Sequence, residues 1–115
     1  MAKQLVSRGV DRDRLSLQPH ATNTLEDVSL SLDLLGTPNS ILFAAKSHHS
    51  GRCGRTLRKF FPAIPLTAVT HNAWYGEVVV RAEDWYESEV GKGRVLGELT
   101  RIQTYGARGD IAQNP

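Results

Sequence analysis

The chain has 115 residues, of which 40% are hydrophobic and 23% charged, and its formal net charge is +2. Those values suit one soluble globular domain and exclude an intrinsically disordered chain. A single cysteine, Cys53, rules out an intrachain disulfide and makes a cytoplasmic, reducing setting the expectation. No segment nears the roughly 20 apolar residues that a membrane span needs, and no signal-peptide pattern opens the chain.

Residues 1 to 22 alternate charges with isolated Leu and Val and read as an N-terminal arm, partly disordered, ahead of a domain over residues 23 to 115. In "VSLSLDL", Val28, Leu30, Leu32 and Leu34 alternate with Ser29, Ser31 and Asp33, the period of a half-buried strand. The turn residues of "GTPN" and the apolar run "ILFAA" follow, so residues 28 to 45 are expected to form an antiparallel hairpin.

In "SGRCGRTLRKFFP", Cys53, Leu57, Phe60 and Phe61 recur at helical spacing, with Ser50 placed to cap the start and Pro62 to stop the end. Arg52, Arg55, Arg58 and Lys59 fall away from that stripe, as a basic surface would. "IPLTAVTH" and "GEVVVRAE" are rich in β-formers. "EDWYESEVGKG" reads as an acidic surface loop with at most one helical turn. "RVLGELTRIQTYG" reads as a further strand or two, and "ARGDIAQNP" as a turn opening a last strand. The sum is a mainly β chain with one short helix.

The order of these pieces resembles the small bacterial cyclophilin-like barrels, most of which have no established activity. The matching residues are Ile64, Pro65, Leu66 and Thr67; then Trp74, Tyr75, Gly76 and Glu77; then Tyr105, Gly109, Asp110, Ile111 and Pro115. The resemblance covers residues 26 to 115 and implies a β-barrel, incomplete at its C-terminus, with Leu57, Phe60 and Phe61 plugging one end. It implies a binding pocket and not prolyl isomerisation. A barrel lacking its last strand exposes an edge, so self-association, most simply as a dimer, is expected.

For function, "HNAWYGEVVV" is the most informative stretch. His71, Trp74, Tyr75 and Glu77, with Arg81 beyond them, are the candidate ligand-binding residues, because aromatics with polar tips suit a half-dry site. The expected function is a non-catalytic module for small-ligand binding or assembly. The alternative is a small enzyme acting on a polar or peptide substrate with the same residues. "KSHHSGRC" offers His48, His49 and Cys53 as metal ligands or as a thiol–imidazole pair, against the plainer reading of a surface loop. No cofactor signature is present, and without a long basic run nucleic acid is not an expected partner.

Overall fold

A computed structural model describes residues 1 to 114 and divides the chain into two compact units, Met1–Gly36 and a second beginning at Thr37. The first unit is helical. Helix α1 spans Ala2–Ser7, a 3-10 turn covers Arg12–Arg14, and helices α2 (Thr24–Ser29) and α3 (Leu32–Leu35) complete it.

The expected strand at residues 28 to 34 is therefore absent, and the cause is local. Asn23 Oδ1 accepts a 2.8 Å hydrogen bond from Glu26 N. The Glu26 carboxylate in turn accepts from Thr22 N and Thr22 Oγ1. This reciprocal arrangement satisfies donors that a helix start leaves unpaired. It starts α2 just ahead of the alternating residues. The side chains withdrawn from solvent are then Leu25, Val28, Leu32 and Leu35, at steps of three and four, while Leu30 and Leu34 are exposed.

The second unit begins with a βαβ crossover. Strand β1 (Ile41–Lys46) pairs in parallel with β2 (Leu66–His71), in register from Ile41 opposite Leu66 to Lys46 opposite His71. Parallel strands need a long connection, and α4 (Ser50–Phe60) supplies it. The helix ends before Pro62, as its sequence indicates. Its N-cap, however, is His49, and Ser50 Oγ instead donates to the Ser47 carbonyl. Helix α4 packs on β1 at Gly54, where a Cβ would sit in ordinary van der Waals contact, 3.6 Å from the Phe43 ring.

A short antiparallel pair follows, β3 (Ala73–Tyr75) with β4 (Val78–Val80), joined through Gly76 at φ +64°. A 3-10 turn at Trp85–Glu87 leads into α5, the 20-residue helix Glu89–Arg108.

Helix α5 replaces both the expected acidic loop end and the expected late strands. Ser88 caps it by accepting from Gly91 N. Gly91, Val95, Gly97, Glu98, Ile102, Tyr105 and Gly106 are its buried or half-buried positions, a helical stripe obscured in the sequence by glycines and by a charge in its middle. Gly91 is required there, because any Cβ would collide with the Trp85 carbonyl oxygen. Left-handed Gly109 ends the helix. The expected last strand is instead a short tail along α4, with Ile111 buried and Ala112 N donating to Arg55 O.

The fold is thus mixed α/β, with helix at 46% and strand at 16% in two two-stranded sheets. The barrel implied by the cyclophilin-like resemblance is not formed. Leu57 and its neighbours cover one face of a parallel pair and plug no barrel end. Among the described residues, no helix is long and apolar enough to cross a membrane.

Candidate functional site

Ligands of open α/β sheets gather beyond the carboxyl ends of parallel strands, where loops enter the following helices. Here that region holds the Ser47–His48–His49 loop after β1, the start of α4, and the facing side of α5. The loop is fastened to the end of β2. Ser47 N and Ser47 Oγ both donate to the His71 carbonyl, at 2.8 and 2.9 Å.

The adjacent histidines diverge. His48 shares a 3.1 Å hydrogen bond between Nε2 and the Tyr75 hydroxyl of β3, while its Nδ1 is buried with no hydrogen-bond partner among the described residues. Burial pushes the pKa of His48 below the ordinary 6.5, and the cations of Lys46 and Arg94 push the same way against the opposing pull of Glu98. His49 turns instead to α4, where its Nε2 lies 3.3 Å from Cys53 Sγ. Its pKa is also lowered, first by burial and then by Arg52.

Between α4 and α5 lies a buried ion pair. Arg52 grips Glu98 with two bonds, Nε to Oε2 at 2.6 Å and Nη2 to Oε1 at 3.1 Å, with Arg101 adding a 3.4 Å contact. The two side chains are only 13% and 10% exposed. Burial alone would raise the Glu98 pKa. The Arg52 bonds and charge, with His49 and Arg101, outweigh that and hold it below the ordinary 4.5. The basic helix face expected to be merely solvated is thus partly engaged. Besides Arg52, Arg58 donates to the Phe61 and Ile64 carbonyls, and Lys59 to the Gly109 carbonyl.

A pocket of about 180 Å³ opens beside His48. Its walls are mainly apolar, from Val80, Ala82, Trp85 and Val95, with Ser47, His48 and Arg81 as the polar groups. Arg81 is held by Asp84 through bonds of 2.6 and 3.3 Å.

Of the candidate residues read from the sequence, Arg81 lines this pocket and Tyr75 orients its histidine. His71 contributes a backbone carbonyl to the loop, its side chain being exposed. Trp74 is 67% exposed and Glu77 sits exposed in the β3–β4 turn, neither of them at the pocket. His48 enters the sequence reading only as a metal ligand or thiol neighbour, and Val95 and Glu98 not at all. The helical spacing of Val95, Glu98, Ile102 and Tyr105 was the one available signal. Among the described residues, no three His, Cys, Asp or Glu side chains converge as metal ligands. No protein family, curated protein or solved structure matches the chain.

Proposed function

We propose that this chain is a small-ligand-binding module whose site is the pocket at the carboxyl end of β1. The observation that carries this reading is an apolar cleft with a histidine nitrogen buried beside it and lacking a partner. Buried polar atoms are rarely left unpaired, and a mainly apolar pocket with a few convergent polar groups is the usual form of a ligand site. One aromatic ring is of the right order of size for such a cavity. Adding phenol to the isotope-labelled chain should move the amide signals of Val80, Ala82 and Trp85. Ala82→Phe, which fills the mouth from an exposed position, should abolish those shifts. Unmoved pocket signals at millimolar phenol would exclude the reading.

A different enzyme reading, distinct from the one built on the His71–Glu77 strand, rests on the contact between His49 and Cys53. A thiol beside an imidazole is the arrangement of activated cysteine nucleophiles. Iodoacetamide should then alkylate Cys53 faster than a free thiol at pH 7, and His49→Gln should remove the excess. Equal rates with and without His49 would dismiss that alternative.

Assembly is a separate part of the proposal. Parallel sheets are normally covered on both faces, yet Leu42, at 70% exposed, and Val69, at 49%, share the face opposite α4. Self-association through this small open sheet would cover them. Sedimentation at micromolar concentration should show more than a monomer, and Leu42→Lys should shift it to monomer; a wild-type monomer would refute this. The single cysteine fits a cytoplasmic setting for such a module.

A further inference from the structure

Two cations stand over one aromatic ring at the edge of the site. The Arg94 guanidinium is 4.0 Å from the centroid of Tyr75, and Lys46 Nζ is 5.3 Å from it. Among the described residues, neither cation has a carboxylate partner. The acids nearby are already committed, Glu98 to Arg52 and Arg101, and Asp84 to Arg81. Tyr75 in turn holds His48, which lines the pocket. Positive charge therefore exceeds negative around Tyr75, whose hydroxyl is bonded to His48 of the pocket wall, while Lys46, Arg94 and Tyr75 stand just outside the residues that line the pocket.

We propose that Lys46, Arg94 and His48 form the anion subsite of this pocket, and that its ligand is a small phosphate monoester with an aromatic or similarly compact apolar body. This rests on the pocket reading above and names the chemistry that would occupy it. Two unmatched cations balance a phosphate dianion better than a single carboxylate charge. Guanidinium and ammonium groups both form strong charge-assisted bonds to phosphate oxygens. A neutral imidazole N–H adds a donor, and the apolar walls receive the body of the ligand. Like charges gathered on one ring repel each other, and a bound dianion relieves that repulsion. The His48 pKa is lowered first by burial and in smaller part by Lys46 and Arg94, against the pull of Glu98, so an anion bound beside these cations should raise it and draw a proton onto the ring.

The test is titration of the full chain, followed by heteronuclear spectra and calorimetry, with phenyl phosphate, phenol, benzoate and inorganic phosphate. Phenyl phosphate should bind more tightly than the other three and move both the pocket signals and those of His48 and Tyr75. Its affinity should weaken as salt is added. Arg94→Gln with Lys46→Gln should lower phenyl phosphate affinity about tenfold or more, the scale of one or two lost charge-assisted bonds, and leave phenol binding unchanged. Both positions are exposed, and unchanged spectra of the unliganded variant would verify its fold. Benzoate binding as tightly as phenyl phosphate would overturn the phosphate assignment. Phenol and phenyl phosphate binding alike, with no effect of the double variant, would overturn the subsite and leave the pocket reading standing. Phosphate moving His48 and Tyr75 while phenol moves nothing would do the reverse.

Discussion

The two faces of the β1–β2 pair are built in opposite ways. On the side toward α4, and in the seam that α4 makes with α5, charge and polarity lie inside. Glu98 is 8% exposed and Thr56 1% exposed, beside Arg52 and the His49–Cys53 contact. On the other side, Leu42, Ala44 and Val69 lie exposed. The inversion teaches that burial in this small unit is governed by which surfaces the helices reach, and not by hydrophobicity alone. A buried charge persists because its partner arrives from the neighbouring helix. Among the described residues of this unit, no helix covers the exposed apolar face.

The most severe way to break the seam is Glu98→Ala, which leaves the Arg52 guanidinium largely buried without its anion. Removing one member of a buried pair costs about 3 kcal/mol or more, and urea denaturation should show it. The double change Arg52→Met with Glu98→Leu should recover most of that loss, because it removes both desolvated charges. No recovery would mean that the seam depends on the pair for its geometry as well as its charge balance.

A smaller loss should follow from acid. His48 and His49 both have pKa values below 6.5 in the folded chain. Their contribution is complete above pH 6.5 and is lost as pH falls through the lowered folded values. Glu98, held below 4.5, contributes fully above its unfolded pKa and loses that contribution in a second, more acidic step. Urea midpoints measured from pH 7 downward should fall in these two stages, and His49→Gln should flatten the first. A flat profile between pH 7 and 5 would show that the histidines are not desolvated by folding.

The outer face should respond least. Leu42→Lys replaces an exposed side chain and should change the stability of the monomer by no more than about 0.5 kcal/mol. A loss of several kcal/mol in a denaturation carried out below the association concentration would mean that Leu42 is covered within the single chain, contrary to its exposure.

The legibility of the sequence differed along the chain for physical reasons. Helix α4 was plain, since Cys53, Leu57, Phe60 and Phe61 share a stripe and Pro62 ends it. The strands at "ILFAA", "LTAVTH" and "VVV" were plain too, because their β-branched and apolar residues dominate short runs. Residues 28 to 34 misled, because Val28, Leu30, Leu32 and Leu34 satisfy the strand period. Leu25, Val28, Leu32 and Leu35 satisfy the helical one equally well, and the Asn23–Glu26 cap favoured the helix. Of the candidate site, Tyr75 and Arg81 were found, and His48 was seen only as a metal or thiol neighbour. Trp74 and Glu77 were included for their chemistry, although one strand cannot indicate which of its faces meets a pocket.

Local chemistry in the sequence is therefore enough for the extent of α4, the strand content of β1, β2 and β4, and, through the Asn23–Glu26 cap, the start of α2. These depend on caps, turns and periodicity within a few residues. Strand pairing was a tertiary matter: β1 took Leu66–His71 as its partner, not the segment before the "GTPN" turn. The helical state of α5 was tertiary as well. Four glycines, Gly91, Gly93, Gly97 and Gly106, each weaken a helix by up to about 1 kcal/mol relative to Ala, and a charge interrupts its apolar stripe. What offsets those costs lies partly elsewhere in the chain, in the Arg52 side chain on Glu98, while Gly91 itself is needed for the close approach of the Trp85 carbonyl. Arg52 lies 46 residues from Glu98, too far for any local pattern to reveal the pairing.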